Sequence, residues 1–383
     1  MQEAMPVGQV CNLKCSYCYE NPMRDAGNMG GHYDIDAMIA QLDKANDKFA
    51  LFGGEPLLVP LHDLERFFKF GQEKYNYNGI QTNGLEISDA HIDLFKKYNV
   101  NVGLSIDGYG SLNQPRSSIE ETNKIEDNLE RLLKEKIDVG LIITIHRYNA
   151  GPDILPFFLD WLRKLDRWGL KSARLHFLES HHHPALALKE EDNIEAFLNL
   201  ASFEMRMLKN LRFDIFKDIL SVLKNENKDV TCVWRNCDTY NTEAVQGVNG
   251  DGTRSNCGRA NKDGVNWLKS DSTQKIRQLA LYSTPQEDGG CKDCRFFLGC
   301  RGYCPGTALD ADWRNRSEHC GTIKALFGYF EQVLLDNRIV PITMRPELKD
   351  IEKAELEGNT TIQSSHVDWW MIDGIKVHKV PVL

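Results

Sequence analysis

The chain has 383 residues, of which 42% are hydrophobic and 26% are charged, and its formal net charge at pH 7 is −9. This composition is ordinary for a globular protein, and the negative charge argues against a nucleic-acid-binding surface, which requires basic patches. Because the sequence contains no long apolar run and no signal-peptide pattern, it predicts a cytoplasmic protein without a membrane span.

The first half of the chain alternates between strand-like and helix-like segments. Six short apolar segments are predicted strands: residues 5–10, 49–52, 79–81, 100–105, 139–145 and 173–178. Helical periodicity lies between them, with Asp34 and Ser88 as candidate N-caps and Gly169 as a candidate helix stop. This alternation predicts an α/β fold with a parallel sheet, which is either open or curled as a partial (β/α)6 TIM-like barrel.

The character of the chain changes after Lys228. A helical stretch at residues 190–225 precedes this point, and eight cysteines follow between Cys232 and Cys320, among many Gly, Asn and Asp residues. A segment with so few apolar runs needs bound metal to hold it together. Another helix is predicted at residues 322–337. We therefore expect three regions: a barrel at residues 1–228, a cysteine-rich domain at 229–325, and a C-terminal helix and tail at 326–383.

Three cysteines lie close together near the start of the chain, at Cys11, Cys15 and Cys18. The total of eleven cysteines is odd, and without a secretion signal such clusters indicate metal binding or chemistry rather than disulfides. Three thiolates within eight residues can bind three irons of a [4Fe–4S] cluster and leave the fourth iron open. A zinc loop and cysteines without a function are the alternatives, although zinc sites favour a CxxC pair completed by another pair.

The CxxxCxxC spacing, with an aromatic residue before the third cysteine, resembles the signature of the radical S-adenosylmethionine superfamily. Residues 53–56, 82–84 and 105–108 resemble that family's GGEP, TNG and SxDG motifs. All of them follow predicted strands, at the active face of a parallel barrel. The resemblance implies that the open iron binds the amine and carboxylate of S-adenosylmethionine.

The same resemblance implies roles for individual pocket residues. Tyr17 would pack beside the adenine, Glu55 would accept from the cofactor ammonium, and Ser105 would lie near the ribose. Arg116 would bind the cofactor carboxylate, with a surface arginine as the alternative. The residues expected to bind the cofactor are Tyr17, Gly53, Gly54, Glu55, Asn83, Ser105, Asp107 and Arg116.

The later cysteines form a CxxCxxxxxCxxxC run followed by one more cysteine, which resembles the SPASM extension of peptide-modifying radical enzymes. That resemblance implies one [4Fe–4S] cluster on Cys232, Cys237, Cys257 and Cys304, and a second on Cys291, Cys294, Cys300 and Cys320. With the first three, these ligands use all eleven cysteines. Both later clusters would be fully protein-ligated and suited to electron transfer. On spacing alone, a pair of zinc sites is the alternative, and Cys232 is the least constrained ligand.

The resemblance therefore implies an enzyme with three [4Fe–4S] clusters that generates a 5′-deoxyadenosyl radical from S-adenosylmethionine. Its expected substrate is a peptide or protein, and its expected reaction is a carbon–carbon or carbon–sulfur crosslink in a ribosomally made peptide. A flavodoxin or ferredoxin-type protein would donate electrons. Since only ten residues precede Cys11, any leader peptide is expected to be recognised by another part of the chain or by a separate leader-binding protein.

Three alternatives to crosslinking stay open from the sequence. Enzymes that oxidise a sulfatase cysteine or serine to formylglycine have the same layout, but they commonly carry an aspartate after the cysteine that matches Cys257, where this chain has Gly258. A radical enzyme of redox-cofactor biosynthesis is the second alternative. A zinc- or cluster-binding scaffold without enzymatic activity is the third. No residue is assigned as a catalytic acid or base.

Overall fold

A twisted parallel sheet organises the computed structural model, which describes residues 1–226, 228–239, 246–265, 267, 275–357, 369–372 and 375–378. The nine strands of this sheet are β1 Gln2–Met5, β2 Phe49–Leu51, β3 Asn78–Thr82, β4 Val100–Ser105, β5 Val139–Ile145, β6 Ser172–Phe177, β7 Arg212–Phe213, β8 Gln246–Asn249 and β9 Arg254–Ser255. Their spatial order is β7-β6-β5-β4-β3-β2-β1-β8-β9, and every neighbouring pair is parallel except β8 and β9. The predicted α/β fold with a parallel sheet is confirmed.

Helices connect successive strands, as a right-handed crossover between parallel strands requires. In chain order, the α-helices of the described residues are α1 Asn21–Asp25, α2 Ile35–Ala45, α3 Leu61–Tyr75, α4 Asp89–Lys97, α5 Ile119–Lys134, α6 Arg147–Ala150, α7 Leu155–Arg167, α8 Glu190–Met207, α9 Asp214–Leu223, α10 Ile276–Ser283, α11 Phe297–Cys300, α12 Cys320–Asp336 and α13 Leu348–Leu356. The last four follow the final strand of the sheet. The strands β10 Trp369–Ile372 and β11 Ile375–His378 form a separate antiparallel pair.

The predicted helix boundaries at α2, α4 and α7 are confirmed. The Asp34 carboxylate accepts hydrogen bonds from the first-turn backbone of α2, and the Ser88 hydroxyl caps α4. Gly169, just after α7, has φ of +88°, a left-handed conformation that glycine adopts without strain. The apolar stripes of these helices pack onto the sheet, where Leu42 and Phe158 are fully buried.

The first strand lies earlier than expected, so the prediction of a strand at residues 5–10 was wrong. The strand ends at Met5, whose carbonyl accepts from the backbone N–H of Gly8 at 3.2 Å. Pro6 lacks a backbone donor and Gly8 has φ of +56°, and this pair closes a turn instead of extending the strand. The turn sends the chain over the edge of the sheet toward Cys11.

The predicted helical stretch at residues 190–225 consists of two helices, α8 and α9, separated by β7. The long helix α12 packs against both of them and begins at Cys320, two residues before its predicted start. Beyond residue 228, β8 pairs with β1 in parallel register, with Gln2 opposite Gln246. The cysteine-rich segment therefore extends the sheet, while the division into three regions stays a prediction.

Parts of the predicted C-terminal tail, residues 358–368, 373–374 and 379–383, lie outside the described residues. Within the described ranges, no helix combines the length and apolar character needed to cross a bilayer.

A cysteine-lined candidate active site

A deep cavity opens at the carboxyl ends of the strands. Thr82 and Ser105, which end β3 and β4, line it, and so does Phe177 at the end of β6. Seven cysteines also line this cavity: Cys11, Cys15, Cys18, Cys232, Cys237, Cys257 and Cys304. The first three are called the N-terminal triad, and the other four are called the first auxiliary set. One space therefore joins two groups of thiols that are more than 200 residues apart in sequence.

The loop that carries the N-terminal triad is held by backbone contacts to residues 53–56. The N–H of Gly54 donates to the carbonyl of Gly8 at 2.7 Å, and the N–H of Glu55 donates to the carbonyl of Val10 at 2.8 Å. A Cβ atom at Gly54 would lie 2.0 Å from the Val10 carbonyl oxygen. Glycine at position 54 thus permits close approach of the chain that leads into Cys11. The backbone N–H of Ser16 fixes the other end of the loop by donating to the carbonyl of Pro115 at 2.8 Å.

Glu55 lies directly behind the cavity wall and is 1% exposed. Its Oε1 accepts from the Thr82 hydroxyl at 2.7 Å and from the Leu57 N–H at 2.9 Å, and its Oε2 accepts from the Asn83 N–H at 2.8 Å. Burial raises the pKa of Glu55 to about 7, an effect that the bond from Asn83 opposes. Glu55 therefore orients the end of β3, while Asn83 lines the cavity and points its amide nitrogen at Cys11 Sγ, 3.8 Å away.

Asp107 is the centre of a second buried network beside the triad. Its Oδ1 lies 3.2 Å from Nη2 of Arg116 and accepts from the Thr144 N–H at 2.8 Å, and its Oδ2 contacts the Tyr17 hydroxyl and His146. Although burial favours the protonated acid, the Arg116 charge and His146 hold the pKa of Asp107 well below its usual range. Asp107 itself is absent from the cavity wall; Tyr17 and Arg116 form the wall in front of it.

Arg116 is largely buried, with 10% of its side chain exposed. The alternative of a surface arginine was therefore wrong. Its guanidinium carbon lies 5.5 Å from the Tyr17 ring centroid. Burial raises the pKa of Cys15 to about 12, and the Arg116 charge opposes that rise. Arg116 thus lies where a positive charge faces both the cavity and a triad thiol.

The thiols of the first auxiliary set lie close to one another, with Cys304 buried and the other three half-buried. Burial raises the pKa of Cys257 well above its usual value, and nearby Glu3, Cys232, Cys304 and Cys237 raise it further. The cysteines of the second auxiliary set, Cys291, Cys294, Cys300 and Cys320, surround a smaller cavity of their own. Burial similarly raises the pKa of Cys300, and the other three thiols of its set add to the rise.

These donor sets fit iron–sulfur clusters better than single ions. In the described ranges, no three His, Cys, Asp or Glu side chains converge closely enough to hold one metal ion. The thiols instead surround hollow spaces, and the second auxiliary set has the basic residues Arg316 and Lys324 beside it. Protonated thiols gain little from such burial, whereas thiolates on a cluster with cations nearby are stabilised.

Glu20 is a cavity residue that the sequence analysis missed. It is 2% exposed and lines the cavity. Burial raises the pKa of Glu20 to about 7, and the Arg24 charge and a side-chain hydrogen bond from Gln9 oppose that rise. A Cβ atom built on Gly258 would lie 2.7 Å from Oε1 of Glu20. The Glu20 carboxylate therefore occupies the place into which a side chain at position 258 would project. Its position two residues after Cys18 is the one signal in the sequence that points to it.

A salt-bridge network beside Cys257 was also missed. Glu179, at the end of β6, lies 3.3 Å from Nε of Arg259 and also contacts Lys262. The histidines at 181–183 follow in a turn, in which the N–H of His181 donates to Glu318 at 3.0 Å. This network joins the end of β6 to the segment that carries the first auxiliary set.

Residues 5–153 match the Radical SAM superfamily. The chain is 27% identical over 163 residues to the cysteine-type anaerobic sulfatase-maturating enzyme of Clostridium perfringens strain 13, covering 38% of the chain and 44% of that relative, so this alignment spans less than half of the relative. It is 22% identical over 400 residues to the serine-type enzyme of Bacteroides thetaiotaomicron, covering 90% of the chain and 94% of the relative.

A solved structure of native anSMEcpe with bound AdoMet and Cp18Cys peptide has a similar fold. The TM-score is 0.69 at 21% identity, covering 88% of this chain and 98% of that one. The match to the Radical SAM superfamily begins at Met5. It includes the N-terminal triad and the surrounding residues 53–56, 82–84 and 105–108. The chain therefore has a TIM-like radical SAM fold, with a radical SAM domain at residues 5–153.

Proposed function

We propose that this enzyme oxidises a cysteine or serine side chain of a protein or peptide to an aldehyde, as a sulfatase-maturating enzyme. The supporting observation is the buried Glu20 carboxylate, which lies beside Cys257 in the cavity that the N-terminal triad also lines. The names of the relatives, and the peptide bound to anSMEcpe, support a peptide substrate. This proposal replaces the crosslinking reaction expected from the sequence.

Three [4Fe–4S] clusters belong to the proposal. The N-terminal triad would hold the cluster with an open iron, and each auxiliary set would hold one further cluster. When bound at the open iron, S-adenosylmethionine supplies the chemistry that removes a hydrogen atom from an unactivated carbon. A flavodoxin or ferredoxin-type electron donor, and a separate leader-binding protein, remain proposed partners.

The chain's own residues would bind the cofactor and keep water away from it. Tyr17, Asn83, Ser105 and Arg116 line the cavity. Glu55 orients Asn83, and Asp107 orients Tyr17 and Arg116. Gly53 and Gly54 would keep the cysteine loop tight against the sheet. Preorganised polar groups in a closed cavity cost little reorganisation during the reaction.

Glu20 would contact the substrate side chain. A buried carboxylate is stabilised by hydrogen-bond donors, and a substrate hydroxyl or thiol would supply a further donor beside Gln9. Relatives that make formylglycine commonly place an aspartate after the cysteine matching Cys257, and this chain has Gly258 there. In this chain Glu20 would take the role of that aspartate, because glycine at position 258 leaves room for the Glu20 carboxylate. The departure in sequence is thus compatible with the maturase reaction.

The test is the product formed from a synthetic peptide that carries a sulfatase active-site cysteine or serine. We expect the reconstituted enzyme, with dithionite and S-adenosylmethionine, to form an aldehyde that a hydrazide traps and mass spectrometry locates. Glu20→Gln should keep its iron and still cleave S-adenosylmethionine, while aldehyde formation falls about a hundredfold. Glu195→Gln, an exposed change on α8, is the matched control.

Two results would contradict the proposal. A crosslinked peptide without an aldehyde would restore the crosslinking reaction, and an unaltered aldehyde yield from Glu20→Gln would remove the role of that carboxylate. A variant that loses iron as well as product would place Glu20 in cluster assembly instead.

A further inference from the structure

Arg277 is a buried cation that lies between the two auxiliary sets. It is the second residue of α10 and is 1% exposed. Its guanidinium donates to six backbone carbonyls, which belong to Cys237 (3.3 Å), Arg301 (3.4 Å), Gly302 (3.3 Å), Tyr303 (3.0 Å), Trp313 (2.7 Å) and Asn315 (3.0 Å). The five N–H groups of the guanidinium are thus engaged with oxygen atoms that carry no charge.

The carbonyls that Arg277 contacts come from the loops that carry the auxiliary cysteines. Cys237 belongs to the first auxiliary set. Residues 301–303 directly join Cys300 of the second set to Cys304 of the first. Trp313 and Asn315 lie in the loop that leads to Cys320. One side chain therefore ties together the backbones of both sets.

The positive charge of Arg277 lies near one carboxylate, that of Asp238, without forming a salt bridge to it. Among the residues that the structure describes, none forms an ion pair with its guanidinium, and the one nearby carboxylate, Asp238, accepts from its backbone N–H at 3.0 Å. A lone buried cation is costly unless anions surround it. Burial lowers the pKa of Arg277, and the groups that oppose this are Cys237, Cys304 and Cys291, taken from both sets, followed by Asp238.

We propose that Arg277 is a positioning residue that raises the reduction potentials of both auxiliary clusters. This inference rests on the clusters assigned under the proposed function. A [4Fe–4S] cluster with four thiolates is anionic, and reduction adds one more negative charge. A buried cation beside it therefore stabilises the reduced state. Higher potentials make both clusters better acceptors of the electron that leaves when a side chain is oxidised to an aldehyde.

The test is a redox titration of the anaerobically reconstituted enzyme, followed by electron paramagnetic resonance. Arg277→Gln removes the charge, Arg277→Lys keeps it with fewer hydrogen bonds, and Arg345→Gln removes a partly buried guanidinium that donates to the carbonyl of Val340 at 3.4 Å. We expect Arg277→Gln to shift both auxiliary potentials to more negative values. Arg277→Lys should stay near the wild-type values, and Arg345→Gln should leave them unchanged.

If a variant binds its clusters too poorly for a redox titration, its iron content provides the test. If Arg277→Gln loses auxiliary iron while Arg277→Lys retains it, charge compensation is supported. If both lose it equally, Arg277 acts through its hydrogen bonds alone and the inference fails. Unshifted potentials in fully loaded Arg277→Gln also overturn it, without touching the proposed function. A wild-type enzyme that lacks auxiliary clusters would overturn the cluster assignment and this inference together, whereas absence of the aldehyde product would overturn only the proposed reaction.

Discussion

At the scale of single residues, the tightest steric constraint in the site is Gly54. Its ideal Cβ position lies 2.0 Å from the Val10 carbonyl oxygen and 2.5 Å from the carbonyl carbon, so relief requires movement of the backbone just before Cys11. We expect Gly54→Ala to lower the free energy of unfolding by about 1–3 kcal/mol, as measured by urea denaturation. The iron held by the N-terminal triad should fall at the same time.

The matched control is Gly328→Ala on α12, where no atom lies within 4 Å of the added Cβ. Alanine in a helix interior is favoured over glycine by about 0.5–1 kcal/mol, so this variant should be slightly more stable. Equal destabilisation of the two variants would show that the contact with Val10 is unimportant.

The cavity residues that could be predicted from the sequence are those that lie in or near short local motifs. Tyr17, Asn83, Ser105 and Arg116 line the cavity, and each lies in or near a short pattern that can be recognised alone. Glu20 and Arg277 lack such a pattern, because their importance comes from residues more than 200 and about 40 positions away, respectively. Gly258 also shows a relation that only the fold reveals. The carboxylate of Glu20, far away in sequence, lies where a side chain at position 258 would project.

At the scale of elements, capping residues and strand composition located most boundaries. The prediction placed the first strand too late, because the apolar residues after Met5 look like a strand in the sequence. Only Pro6 and Gly8 mark the turn that these residues form instead. The glutamate Glu204 shows what tertiary packing adds. It lies on α8, and its Oε2 accepts from the N–H of Phe213 in β7 at 2.5 Å. Burial raises the pKa of Glu204 to about 7, although that hydrogen bond opposes the rise.

This pKa gives a prediction about stability and pH at the junction of α8 and β7. Between the unfolded pKa of 4.5 and the folded pKa of about 7, the folded state binds more protons, so the contribution of Glu204 to stability decreases as the pH rises. Relative to Glu204→Gln, whose amide oxygen can accept the same bond, the wild type should lose about 1–2 kcal/mol from about pH 5 to about pH 8.

Urea denaturation across that pH range measures the difference, with the exposed Glu195→Gln on the same helix as the control. Parallel pH profiles for the wild type and Glu204→Gln would mean that the Glu204 carboxyl titrates equally in both states.

At the scale of the whole molecule, the cysteine-rich segment and the barrel share both a sheet and a cavity. β8 pairs with β1, and the first auxiliary set lines the same space as the N-terminal triad. The second auxiliary set surrounds a separate cavity near α11 and α12. The order of the cysteines in the sequence suggested two auxiliary sets. Which of them shares a cavity with the triad depends on the path of the whole chain.

This arrangement predicts different consequences for removing one thiol from the N-terminal triad and one from the second auxiliary set. Cys15→Ala leaves two thiolates in the triad, whereas Cys294→Ala removes a ligand from the separate cavity. We expect each variant to lose about one third of its iron, because three clusters of four irons are assigned. Cleavage of S-adenosylmethionine should stop in Cys15→Ala and continue within about twofold of the wild type in Cys294→Ala, because the triad and its pocket are untouched.

Aldehyde formation should fall in both variants, since Cys294→Ala interrupts the electron path through the second auxiliary cluster. Iron analysis, chromatography of the cleaved cofactor and mass spectrometry of the peptide separate these effects on the same samples. If Cys294→Ala stops cofactor cleavage while its remaining iron matches two clusters, the second set must act on the triad across the cavity that the first set lines. The separation of radical generation from electron removal would then be wrong, because one cluster would control both.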